Sequence, residues 1–260
     1  MYGVFGGCYG QENASRGPSG RLSAVTPPRT AVVLLAAGSG SRVGAETNKV
    51  LLPLAGRPVL AWSLRTITAV EYVDRLVVVH REEDRDVVAD LVLGELAEGE
   101  EATLVTGGAT RHESEWRGLR PLRGAIESAE VEVVAIHDAA RPLAEASLFD
   151  RTVRAARESG GGIPVRSQPA LLSRGSGGRV TGLVGVQTPQ AFRAAALLDA
   201  YVRAEDDGFT GTDTASCVAA YTDLPILGVT APATNLKITY AHDVALAERL
   251  LGDPGDRADG

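Results

Sequence analysis

Ala31–Lys49 reads AVVLLAAGSGSRVGAETNK. Five apolar residues, Ala31–Leu35, run without a polar interruption, as a strand covered on both faces of a sheet requires. Ala36, Ala37, Gly38 and Gly40 follow at once, and their lack of bulk lets a backbone turn tightly and aim successive N–H groups at an anion. Two cations, Arg42 and Lys49, come next. The segment is not a P-loop, because GxxxxGK[ST] is absent, and its glycines at 38, 40 and 44 do not fit a dinucleotide fingerprint. An ordinary glycine-rich turn with two surface cations is the plainer alternative at this point.

Working outward, comparable apolar runs recur at Arg75–Val79, Val131–Ile136 and Pro225–Val229. Helical patterns separate them, at Pro58–Ala69, Glu83–Leu93, Arg111–Leu122, Ala146–Ser159, Arg193–Ala204, Thr212–Tyr221 and His242–Leu251. Alternating strand and helix predicts an α/β, Rossmann-like, doubly wound and mainly parallel sheet. Ligands of such sheets sit beyond the carboxyl ends of strands, so chemistry is expected in the loops after Leu35 and Ile136. Ile163–Val186 breaks the rhythm with two short apolar stretches around the turn-rich Ser173–Gly178. It predicts a projecting β-hairpin arm suited to pairing two subunits, a plain surface hairpin being the alternative.

The chain has 260 residues, 44% of them hydrophobic, enough for a substantial core. Its net charge of -7 argues against a general nucleic-acid binder, so any phosphate site must be local. Two cysteines far apart, Cys8 and Cys217, make neither a disulfide framework nor a zinc site, and a cytoplasmic setting is expected. No stretch has the roughly 18–20 uninterrupted apolar residues of a membrane span. Residues 1–29, rich in Gly, Ser and Pro, read as a disordered extension or an early translation start, 30–252 as one α/β domain, and 253–260 as a flexible tail.

The pattern LAAGxGxRxG with a following lysine resembles the signature of nucleotidyltransferases that activate sugar and polyol phosphates. Three further segments narrow this: HDAARP at His137–Pro142, TPQAF at Thr188–Phe192, and TDTAS at Thr212–Ser216 followed by NLKIT at Asn235–Thr239. Together, over about Ala31–Leu251, they resemble the 2-C-methyl-D-erythritol 4-phosphate cytidylyltransferases of the non-mevalonate isoprenoid pathway and their relatives acting on ribitol 5-phosphate.

The resemblance implies CTP as the nucleotide, magnesium carried with it, and a homodimer formed through the arm. It implies that Ala36, Ala37, Gly38 and Gly40 enclose the CTP phosphates, with Gly108 and Ser114 helping to hold the nucleotide. Arg42 and Lys49 match the family's transition-state-stabilising pair, and preorganised cations do suit the charge that grows at an α-phosphate under attack. Asp138, Ala139 and Arg141 would line the meeting point of nucleotide and acceptor, Lys237 would contact the acceptor phosphate, and Thr188 would touch the acceptor. No direct metal ligand is assigned.

Bland readings stand beside these: Asp138 with Arg141 as a structural ion pair, His137 as a packing residue, and Asp213 as a helix cap. The sequence also departs from the family. Pro164–Val165 is followed by Arg166–Ala170 where Asp-Thr-hydrophobic-Lys is usual, and the family's arm arginine falls on Val180, with Arg179 beside it. Arg179 is the expected substitute, reaching a partner's acceptor phosphate after a one-residue shift that Gly177 and Gly178 would ease. Because of these departures the acceptor could instead be ribitol 5-phosphate or another polyol phosphate. A nucleotide-binding paralogue without turnover is the reading from another class.

Overall fold

The structure, a computed structural model, describes residues 29–38, 48–167 and 184–252. The calls on Gly40, Arg42 and Arg179, on the arm residues 168–183, on 1–28 and on 253–260 lie outside the described residues.

In chain order the elements are β1 (Thr30–Leu35), the short antiparallel pair β2 (Pro53–Leu54) and β3 (Arg57–Pro58), α1 (Val59–Thr68), β4 (Val73–His80), α2 (Arg85–Glu95) and β5 (Ala102–Thr106). Next come α3 (Arg111–Leu119), α4 (Arg123–Glu127), β6 (Val133–Asp138), α5 (Ala146–Ser159) and β7 (Gly161–Ser167). The chain ends with β8 (Val184–Val186), β9 (Gln190–Arg193), α6 (Ala194–Asp206), α7 (Thr214–Tyr221), β10 (Ile226–Thr230) and α8 (Ala241–Gly252).

The main sheet runs β10-β7-β9-β6-β1-β4-β5, with β8 paired to β7 at the side. β5, β4, β1 and β6 are mutually parallel, as is β10 with β7, while β9 lies antiparallel to both β6 and β7. The doubly wound, mainly parallel expectation therefore holds. β1 is flanked by β4 and β6, so chain order reverses there, and the carboxyl ends of β1 and β6 mark the position where ligands of such sheets bind.

Alternation along each strand divides the core into two layers. Ala31, Val33, Val77, Val79, Val134 and Ile136 face α3, α6 and α7, whereas Val32, Leu34, Val78, Val133 and Ala135 face α1, α2 and α5. A fully buried aliphatic side chain of this kind contributes about 1.5–3 kcal/mol. Gly118 lets α3 lie close on the sheet, since a Cβ there would come within 2.5 Å of Val33 and 2.9 Å of Val79.

Two expectations need correction. The segment from Ile163 is not wholly a projecting arm: β7 begins at Gly161 and belongs to the main sheet, hydrogen-bonded to both β9 and β10. Only its far end, Val165–Ser167, pairs antiparallel with β8, forming the described base of a hairpin. Strands β5 and β9 were also unanticipated, because Ala102–Thr106 is short and half-buried and Gln190–Arg193 carries a polar residue at each end.

Candidate active site

Leu35 pairs directly with Asp138 across the β1–β6 ladder, and Ala139 N–H donates to Leu35 O at 3.0 Å. The two loops anticipated from the sequence thus leave adjacent strand ends side by side, with Asp138 the last residue of β6.

On the β1 side, Ala36 is fully buried, and its N–H donates to Val79 O at 2.7 Å. Asn48 locks the far end of the loop: its amide nitrogen donates to Ala36 O at 2.8 Å and to Asp84 Oδ2 at 2.7 Å. Asp84 is gripped in turn by Arg81 through two bonds of 2.6 and 2.8 Å. Burial would raise the Asp84 pKa, but Arg81 and Asn48 hold its carboxyl below the usual range. Lys49 follows Asn48 in a 3-10 turn, and its Cε lies 3.9 Å from where a Cβ on Gly38 would stand. Lys49 is therefore brought back against Gly38.

Gly107 closes the other wall, for a Cβ there would lie 2.5 Å from the Ala37 Cβ and 3.1 Å from Ser114 Oγ. Ala37, Ser114 and Gly108 are thereby brought together. Gly108 N–H donates to Ser114 Oγ at 3.0 Å and that hydroxyl donates to Thr110 O at 2.9 Å. Ser114 thus holds the loop's shape. Thr110 caps α3 by accepting from Glu113 N–H.

On the β6 side, three motifs far apart in sequence are stitched together. Asp138 N–H donates to Thr188 Oγ1 at 3.0 Å, and Arg141 Nη1 donates to Asn235 O at 2.8 Å. Asn235 Nδ2 donates to Thr188 O at 3.1 Å, and Ile238 N–H donates to Ala140 O at 2.8 Å. Asp138 is 5% exposed and meets three cations: Arg111 Nη1 at Oδ1, Lys237 Nζ at Oδ2 at 2.7 Å, and Arg141 Nε at 3.9 Å. Burial alone would raise its pKa, but Arg111, then Lys237 and Arg141, hold the carboxyl well below the usual carboxylate range. Lys237 keeps 36% of its side chain exposed.

Ala139, Thr188 and the Asp138 pairing come out differently from expectation, whereas His137 and Asp213 come out as the packing residue and helix cap that the sequence suggests. Ala139 is fully buried and Thr188 is 3% exposed, so Ala139 offers no exposed side chain and the Thr188 hydroxyl is taken up with the Asp138 amide. Asp138 paired with Arg141 is only the longest of three ion contacts, not a simple pair. His137 is fully buried against Phe149, and burial lowers its pKa to about 3, consistent with packing rather than base chemistry. Asp213 caps α7, its carboxylate accepting from Ser216 N–H in a capping box.

Arg111, Glu115, Asn48, Asn235 and Gln190 were not singled out from the sequence. Gln190 accepts from Ala215 N–H at 2.9 Å and donates to Asp213 at 3.0 Å, fixing the start of α7. Each acts through a partner distant in sequence, and a helix-start arginine or a lone amide gives no local sign of that.

Among the described residues no cluster of three His, Cys, Asp or Glu could hold a metal, and Asp138 is already surrounded by cations. These residues do not form a dedicated magnesium site. No helix among them is long and apolar enough to cross a membrane.

The family model for 2-C-methyl-D-erythritol 4-phosphate cytidylyltransferase matches residues 30–253. The chain belongs to that cytidylyltransferase family. It is 42% identical over 228 residues to the 2-C-methyl-D-erythritol 4-phosphate cytidylyltransferase of Cereibacter sphaeroides (strain KD131 / KCTC 12085), covering 85% of this chain and 96% of that protein. It is 38% identical over 227 residues to the protein of the same name from Parasynechococcus marenigrum (strain WH8102), covering 85% and 96%. The crystal structure of 4-diphosphocytidyl-2C-methyl-D-erythritol synthase from Anaerococcus prevotii DSM 20548 superposes with a TM-score of 0.75 at 25% identity, covering 87% of this chain and 100% of that one. That of the Thermus thermophilus cytidylyltransferase does so at 0.64 and 30% identity, covering 85% and 98%. Membership makes this chain a CTP-dependent nucleotidyltransferase and places the glycine loop and the Asp138 cluster within one family fold.

Proposed function

We propose that this enzyme couples CTP to 2-C-methyl-D-erythritol 4-phosphate. The observation that carries this reading is the convergence of HDAARP, TPQ and NLK on Asp138, at the strand end beside the glycine loop that Lys49 approaches. A nucleotide wall and an anion-binding wall then face each other across the β1–β6 crevice.

In this reading an acceptor phosphate oxygen attacks the α-phosphorus of CTP, forming a new P–O–P link as the bond to the β-phosphate breaks and pyrophosphate leaves in line. The attacking phosphate is already ionised, so no base is required. Ala37 and Gly38, with Gly40, surround the triphosphate, whereas Ala36, expected there too, is fully buried with its N–H on Val79 O and its carbonyl on Asn48 and only supports the loop. Gly108 and Ser114 shape the nucleotide side. Lys49, with Arg42, stabilises charge growing on the α-phosphate oxygens. Lys237 meets the acceptor phosphate, and Asp138 and Arg141 fix the acceptor end. Magnesium carried with the CTP would neutralise part of the triphosphate charge beside Gly38 and Lys49.

The homodimer through the arm, the reach of Arg179 into a partner's site and a cytoplasmic setting belong to the same proposal. The deciding experiment is pyrophosphate release from CTP with a panel of polyol phosphates. The reading requires 2-C-methyl-D-erythritol 4-phosphate to be turned over with the highest kcat/KM. Preference for ribitol 5-phosphate would move the enzyme to the sister reaction, and no release with any member of the panel would refute turnover.

A further inference from the structure

We propose that Glu115 is a positioning residue of the transfer site, acting through Arg111 on Asp138 and so on Lys237. The proposal rests on the reading of Asp138 and Lys237 as the acceptor end.

Arg111 and Glu115 stand one turn apart on α3, on the face turned toward α6 and α7. Glu115 is fully buried, and three donors converge on its carboxylate. Arg111 Nε donates to Oε1 at 2.9 Å, the Thr214 hydroxyl to Oε1 at 2.9 Å, and the Tyr201 hydroxyl to Oε2 at 2.6 Å. Tyr201 and Thr214 are themselves fully buried on two different helices, so the position of this carboxylate is dictated by the core. Burial pushes the Glu115 pKa up, while Arg111 and the two hydroxyls favour the charged form that accepts all three bonds.

A guanidinium is planar, so fixing its Nε–H also fixes the direction of its other donors. With Nε held on Glu115, Nη1 is aimed at Asp138 Oδ1, leaving Oδ2 for Lys237. The route from core to crevice is continuous: Tyr201 and Thr214, then Glu115, Arg111, Asp138 and Lys237. Three cations, Arg111, Lys237 and Arg141, outnumber the two carboxylates of this cluster, which suits an incoming phosphate. A buried ion pair is weak evidence for stability, because apolar replacements of similar volume are often neutral or better. What this pair supplies is the direction of Arg111. Without Glu115 the guanidinium is free to turn both donors onto Asp138 and draw it away from Lys237.

The test uses the full chain in the pyrophosphate-release assay with CTP and 2-C-methyl-D-erythritol 4-phosphate. Glu115→Gln keeps the volume and removes the charge, and turnover should fall about tenfold from misplacement of Asp138 while the KM for CTP moves less than about twofold. Tyr201→Phe and Thr214→Val, which each remove one anchor, should lower turnover in the same sense and by less. In single-turnover measurements Glu115→Gln should cause no further loss in an Asp138→Asn background, because the two act in series. Unchanged turnover in Glu115→Gln, or the same fold loss with and without Asp138→Asn, overturns the proposal. Should Glu115→Gln fail to fold, unchanged turnover in both anchor variants overturns it. Asp138→Asn at full activity would instead sink the reading of the site itself, whereas an impaired Asp138→Asn beside a normal Glu115→Gln sinks only the positioning role.

Discussion

The side chains at the crevice divide into those that can meet substrate and those that hold them there. Lys49, returned to the glycine loop, belongs to the first group. Replacing Lys49 by Ala should lower turnover by about 10²–10³, the scale of a lost preorganised charge stabiliser, with a smaller effect on CTP binding. Arg42→Ala should behave alike if the family pairing of these cations applies. Steady-state kinetics decide it, and a variant turning over at the parental rate would remove that residue from the mechanism. Asn48 and Thr188 belong to the second group, being 0% and 3% exposed and bonded to Ala36 O and Asp84 in the first case and to the Asp138 N–H in the second. Thr188→Val leaves the Asp138 N–H unpaired and should destabilise the chain by about 1–3 kcal/mol. Chemical denaturation at neutral pH measures this, and stability equal to the parent's would show that the hydroxyl is dispensable.

The elements carry these residues only because helices and strands approach closely at a few points. α3 brings Arg111 and Ser114 to the site with Glu115 buried behind them, and Gly118 sets its depth on the sheet. Gly118→Ala would place a methyl group against Val33 and Val79, where the core cannot yield without shifting α3. A loss of about 1–3 kcal/mol is expected, together with reduced turnover as the Ser114 and Arg111 positions move. A melting temperature and turnover like the parent's would show that α3 tolerates displacement. α7 is fixed differently, by the Asp213 capping box with Gln190 seated across its first turn. Asp213→Ala should cost about 0.5–2 kcal/mol without abolishing activity, since the carboxylate satisfies helix N–H groups and touches none of the residues placed at the substrates.

For the whole molecule, the buried titratable groups set the response to acid. Burial lowers the His137 pKa to about 3 and also lowers that of His112. Below the ordinary histidine pKa of about 6.5 the unfolded chain binds protons that the folded chain refuses, so stability falls as pH falls. Asp138, held well below the usual range, adds to the loss once pH drops through the ordinary carboxylate region. Glu115, raised by burial, works in the opposite sense, contributing less as pH rises past the ordinary glutamate value. His137→Phe should therefore flatten the decline in unfolding free energy between about pH 6 and 4 by up to about 1.4 kcal/mol per pH unit. An unaltered slope would mean that this histidine gains a proton in the folded state.

The limits of local sequence signal appear on the same scale. Unbroken apolar runs such as Ala31–Leu35 and the period of Ala146–Ser159 made the parallel sheet and its helices legible, since each is a local consequence of burial. The motifs around Asp138, Thr188 and Lys237 could be read as belonging to one site through resemblance alone. That Thr188 turns inward, that β7 joins the main sheet and that a buried Glu115 accepts from Arg111 were decided by the tertiary structure. These depend on partners 50 and 99 residues apart, such as Thr188 with Asp138 and Thr214 with Glu115, and no local pattern encodes which distant group will satisfy a buried charge.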